Sequence, residues 1–206
     1  MKRSTRVTAL AATTAATVAL AGAASTAAHS ATQSDRFGHT EVRTGVPRHT
    51  PRFTVTSPDW RSGTVPAAGY ANAFGCSGAN QAPTVHWSGA PAGTRSYAVS
   101  LFDPDAPTGS GFWHAMTWDI PATVTTLTGA TPAGAVAGPN DTGATGYLGP
   151  CPPAGDRAHH YVLRVVALDV PGLGLAATST PAVASFSMAM SGHILATAEL
   201  TATARR

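Results

Sequence analysis

Residues 161–169 read Tyr-Val-Leu-Arg-Val-Val-Ala-Leu-Asp. β-Branched and aromatic residues fit the extended backbone, and a run this apolar suits a strand covered on both faces. Its alternation is only partial, and Arg164 inside it is placed at a rim. The stretch therefore reads as a central strand. Working outward, similar short runs lie at 53–56, 84–87, 97–103 and 115–120, separated by segments rich in Gly, Pro, Asn and Ser. Strands at this spacing predict a sandwich. The separators at 74–83, 103–111 and 138–155 are long, and the last, with its repeated Gly and single Tyr147, predicts a backbone shaped around something. Near the end, Thr180 suits a cap and Pro181 the first helical position, which predicts a helix from 181 to about 198, weakened by Gly192. The closing ELTATARR reads as a short strand or a frayed tail.

The other end of the chain has a different character. Lys2, Arg3 and Arg6 precede a charge-free stretch from Val7 to about Ala24, followed by the small residues Ser25, Ala27, Ala28 and Ser30. This layout predicts a secretory signal over 1–30, too weakly apolar and too Thr-rich to be a membrane span. Residues 31–52 are polar and without an apolar period, predicting a flexible lead-in. One domain over 53–206 remains, enough for a single core. The formal charge is +3, from 13 Lys plus Arg and 10 Asp plus Glu, but three of the cations lie in the signal. The mature domain is then nearly neutral, which removes the electrostatic support for nucleic-acid binding. Export places Cys76 and Cys151 where a disulfide persists. Both lie in Gly/Pro-rich loops, which favours the bond over two buried thiols.

Chemistry-bearing residues concentrate in two places. The loop Asp103-Pro-Asp105-Ala-Pro107-Thr-Gly-Ser-Gly-Phe-Trp-His114 holds two carboxylates and an imidazole, with Pro104 and Pro107 restricting its backbone. Alone, Asp-Pro-Asp is more often a turn than a site. The second is Gly146-Tyr-Leu-Gly-Pro-Cys-Pro-Pro-Ala-Gly-Asp-Arg-Ala-His159-His160-Tyr161. Neighbours on a strand point to opposite faces, so His159 and Tyr161 can share a pocket while His160 points away.

These segments, with FGCSG at 74–78 and SGHILA at 191–196, resemble the signature motifs of the phosphatidylethanolamine-binding protein family, most closely its bacterial Raf-kinase-inhibitor-like branch. The resemblance spans about 53–204. It implies a mostly-β fold: an antiparallel sandwich with long pocket-forming loops and a C-terminal helix. It also implies an anion pocket built from Asp103, His114, Gly149, His159 and Tyr161, with Asp105 and Pro107 at its entrance and Tyr147 in the adjoining loop. His114, His159, the Tyr161 hydroxyl and the amide near Gly149 are donors of the kind a phosphate needs. Asp103 fits as the acceptor that orients one imidazole and favours its cationic form. Two departures stand out. His160 replaces the Arg usual in animal members, and Cys151 replaces a Gly, so that the loop is tied if the cysteines pair.

The implied ligands are phosphorylated small molecules or phospholipid head groups, with no cofactor, no catalytic residue, and a location outside the cell or in its envelope. A secreted inhibitor of a protease or kinase is an alternative, with no partner named by the sequence. A metal-dependent hydrolase is a second, since Asp103, Asp105, His114 and His159 are all ligand types, but HExxH and Cys-x-x-Cys patterns are lacking. There is no Gly-x-Ser-x-Gly elbow, Walker loop or dinucleotide fingerprint either. Trp60, Trp87, Trp113 and Trp118 read as core or pocket wall. His86 and His193 read as packing residues, and Asn140-Asp-Thr142 as a chance glycosylation match.

Overall fold

A computed structural model describes residues 37–38 and 45–206. The predicted signal lies outside these, as does most of the lead-in. Eight strands and one helix follow: β1 (Thr54–Thr56), β2 (Val85–Ser88), β3 (Ser96–Asp103), β4 (Phe112–Pro121), β5 (Thr126–Leu127), β6 (Val136–Ala137), β7 (His159–Leu168), α1 (Pro181–Ser191) and β8 (Ile194–Ala204). They form two antiparallel sheets, ordered β1-β2-β5 and β6-β4-β3-β7-β8. No helix among the described residues is long and apolar enough to cross a membrane.

The predicted central strand is β7, paired with β3 on one side and β8 on the other. Its period of two separates two cores. Tyr161, Leu163, Val165 and Ala167 pack with Tyr97, Val99 and Leu101 of β3 against Val55, Val85 and Trp87 of the smaller sheet. Val166 and Leu168 face the other way, toward Met116, Trp118, Ala184 and Met188 beneath α1. Burial on both faces explains why the alternation looked incomplete. Arg164 lies on the helix side, its Nε donating to Glu199 Oε1 at 2.6 Å.

The helix ends sooner than expected. Thr180 accepts from Val183 N as an N-cap, and Pro181 opens the helix. Gly192 takes a left-handed conformation, φ 74°, and stops it at Ser191, the position where glycine is favoured because a Cβ would be strained. The remainder, predicted partly as helix and partly as a short strand or frayed tail, is β8, eleven residues long. Residues 51 and 53 are tied to β8, where Thr197 N donates to Pro51 O and Phe53 N donates to Thr197 O.

Candidate functional site

The inter-sheet face of β3 and β7 is apolar until its end, where Asp103 follows Leu101 and His159 precedes Tyr161 at the same parity. A β-bulge adds the third strand's contribution. Leu101 pairs with Ala115 but Phe102 with Trp113, so β4 carries one extra residue, His114, at this point. Bulges re-aim side chains in this way, and here the His114 ring comes edge-on to Tyr161 with centroids 5.2 Å apart. Asp103, His114, His159 and Tyr161 line one cavity of about 220 Å³. The rest of its lining is largely apolar: Phe74, Pro107, Phe112, Leu148, Pro152 and Pro153 among others.

The polar floor is a buried chain of charges. His159, 1% exposed, donates from Nδ1 to Asp103 Oδ2 at 2.7 Å, and its Nε2 lies 3.3 Å from Asp156 Oδ2. Burial alone would lower the pKa of this imidazole, but hydrogen bonds and charge from Asp103 and then Asp156 outweigh it, so it is raised above the ordinary histidine value. His114 behaves in the opposite sense. Its Nδ1 donates to the Leu148 carbonyl at 2.7 Å, and burial lowers its pKa in spite of that bond and the charge of Asp103. Of the two rings His159 is the more readily charged and His114 the more readily neutral, and Nε2 of a neutral His114 is an acceptor. Burial, and the charge of Asp103 beside it, raise the Tyr161 hydroxyl, which stays protonated.

This pairing has a measurable consequence. In an NMR pH titration the His159 imidazole is expected to lose its proton above the ordinary value near 6.5, and His114 below it. The contribution of His159 to stability is present below the unfolded-state value and lost as pH rises through its raised folded value. A reversed order would remove the charge assignment.

Other residues of the expected set are placed differently. The Gly149 amide, expected to face an anion, donates instead to Asn80 Oδ1 at 2.7 Å. Gly149 lines the cavity through its backbone, and a Cβ there would come within 2.2 Å of Gly69 O. Glycine is needed for that close approach. Tyr147 points away from this cavity, its hydroxyl donating to Gly69 O at 2.7 Å, and burial raises its pKa. Asp105 does not line the cavity either. Its carboxylate accepts from Arg157 Nη2 at 2.6 Å and from the His160 amide and Nδ1, both at 2.7 Å. His160 points outward and is 56% exposed in its side chain, and with Arg157 it clips the 152–158 loop to the Asp-Pro-Asp turn. Pro107 lines the mouth. Cys76 and Cys151 are disulfide-bonded. Among the described residues no group of three or more His, Cys, Asp or Glu side chains is placed to hold a metal ion.

Three residues escaped the sequence reading. Asp156 meets His159 Nε2, and its only signal was a position three before His159. Asn80, at φ 51°, holds the 147–149 loop by accepting from Gly149 N and donating to Tyr147 O. Phe74 stands in the cavity wall although it is 67% exposed.

The chain has relatives among known proteins. Over residues 56–205 the chain matches the family model described as phosphatidylethanolamine-binding protein. It is 42% identical over 158 residues to the UPF0098 protein YbcL of Escherichia coli, covering 72% of this chain and 85% of that one. LppC of Mycobacterium tuberculosis, provisionally named a lipoprotein, is 38% identical over 146 residues, covering 68% of each chain. The crystal structure of E. coli YbcL superposes with a TM-score of 0.70 at 41% identity, over 75% of this chain and 99% of that one. CT736 of Chlamydia trachomatis gives 0.60 at 30% identity, over 76% and 99%. With the family model spanning both sheets and the cavity, and YbcL alike in sequence and fold, this chain belongs to the phosphatidylethanolamine-binding protein family.

Proposed function

We propose that this chain is an exported binding protein whose cavity takes the phosphate head of a small molecule or phospholipid, without catalysing a reaction on it. The supporting observation is the Asp103–His159 pair, buried on the cavity floor at 2.7 Å with His114 and Tyr161 beside it. The carboxylates of Asp103 and Asp156 on either side of His159 repel added negative charge, which disfavours a doubly ionised phosphate. A singly ionised phosphate suits it better. Its P–OH can donate to His114 Nε2, while its oxygens accept from Tyr161 and compete with Asp156 for His159 Nε2, where the existing contact is the longer one. An ammonium on the same ligand would find a partner in the carboxylates.

Three features support export: the basic, apolar and small-residue sequence of the first 30 residues, the Cys76–Cys151 disulfide, and a mycobacterial relative provisionally named a lipoprotein.

Phosphoethanolamine titrated into the protein should shift the imidazole NMR signals of His114 and His159 saturably. Tyr161→Phe and His159→Gln should each weaken binding about tenfold, as expected for one hydrogen bond involving a charged group. Affinity should fall as pH rises past about 6, where the phosphate loses its second proton. Unmoved signals at millimolar ligand would refute the reading. Signals that respond only to a divalent ion would favour a metal site.

A further inference from the structure

The floor of the cavity accounts for a phosphate head, but its mouth is apolar, and one of its residues is placed at a cost. Phe74 has φ 54°, in the left-handed region where a bulky L-residue is strained by contact between Cβ and its own backbone. Its ring is also 67% exposed, so that little core packing offsets the strain. The next residue, Gly75, has φ 81°, and glycine adopts such a conformation without that penalty.

The surrounding loop holds Phe74 in this conformation. Cys76 N donates to Ala73 O at 2.9 Å, and Arg206 Nη1 donates to Phe74 O at 3.3 Å. Two residues along, the Cys76–Cys151 disulfide ties the loop to Cys151, which with Pro152 and Pro153 lines the same cavity. An aromatic ring held at the lip of a cavity with a charged floor and an apolar collar matches an amphipathic ligand. The group next to the phosphate would lie against Phe74, Pro107 and Phe112.

We propose that Phe74 determines specificity in this cavity, covering the apolar ester group of a phosphate ligand, so that aryl and alkyl phosphate monoesters bind ahead of inorganic phosphate. The inference rests on the phosphate reading above and narrows it to a ligand class. Ring-on-ring contact and the burial of one face of a phenyl group are together worth roughly a tenfold gain.

The test is calorimetric titration of the full chain with inorganic phosphate and with phenyl phosphate. Phenyl phosphate is expected to bind the unaltered protein about tenfold tighter. Phe74→Ala should abolish that preference, bringing the ratio of the two affinities to about one. Phe74→Gly, which relieves the left-handed strain, should fold at least as stably and lose the preference equally, separating loss of the ring from loss of the fold. If phosphate binds but phenyl phosphate gains nothing, or if the gain survives both substitutions, the role of Phe74 is overturned while the phosphate reading stands. If neither ligand binds the unaltered protein, both fail together.

Discussion

Asp103→Ala is expected to destabilise the protein by about 3 kcal/mol, near the lower end for breaking a buried charge pair. Asp103 is 2% exposed and His159 1% exposed, so solvent takes over little of the lost interaction. The variant leaves His159 Nδ1 without its acceptor, and the surviving neighbour Asp156 meets only the other nitrogen, at 3.3 Å. It also removes a turn bond, since Asp103 Oδ1 accepts from Asp105 N at 2.8 Å. Asp103→Asn separates these effects. The amide oxygen can keep one of the two bonds, but the charge is gone, so the loss should be smaller, about 1–2 kcal/mol, and the His159 pKa should fall. Urea unfolding measures the first quantity and imidazole NMR the second. If Asp103→Ala unfolds at the same urea concentration as the parent, the pair is not the buried anchor described above. If Asp103→Asn leaves the His159 titration unmoved, the charge of Asp103 is not what raises it.

How far the sequence disclosed this arrangement depends on which physical signal each residue carried. The strand 161–168 was legible because β-branched residues and burial agree there, and the facing of His159 and Tyr161 followed from strand parity. The first half of the C-terminal strand was misread as helix because an Ala-rich segment satisfies helix propensity, a weak prior that tertiary pairing overrides. The correcting signal was present. From 196 to 204 every even position is Ala or Leu and every odd one Thr or Glu, a period of two, and Gly192 suits the end of a helix better than its interior. His159 and Tyr161, which strand parity put on one face, line the cavity together with Asp103 and His114, which the family resemblance supplied. Asp105, Tyr147 and the Gly149 amide, loop positions for which strand parity says nothing, have their polar groups engaged elsewhere. A loop carries no periodicity, so its side-chain directions depend on long-range bonds such as that of Asn80 to Gly149, which no local pattern announces. The bulge that turns His114 inward is similarly a property of two paired strands rather than of one.

Removing the disulfide is expected to cost roughly 4 kcal/mol, and to do so mostly through the unfolded chain. Cys76 and Cys151 are 75 residues apart, and releasing a loop of that size returns roughly that much conformational freedom to the denatured ensemble in the chain-entropy model. The midpoint of thermal unfolding should drop by about 10 °C for a domain of this size. The folded state has other ties between the same loops. Ala71 N donates to Pro150 O at 3.0 Å, and the Asn80 side chain accepts from Gly149 N and donates to Tyr147 O. The wall up to residue 150 should therefore stay in place after Cys76→Ser with Cys151→Ser, while Phe74 and residues 151–153 gain freedom. Binding should divide along the same line. The floor of Asp103, His159 and Tyr161 is built on strands, so inorganic phosphate should bind the double variant nearly as well as the parent, whereas any preference for phenyl phosphate should weaken. Scanning calorimetry with and without reductant, beside the two phosphate titrations, reads both effects. An unchanged midpoint would mean that the bond adds nothing to stability. A collapse of inorganic phosphate binding in a variant that is still folded would mean that the floor depends on the loops above it, and that the division between strand-held floor and disulfide-held rim is wrong.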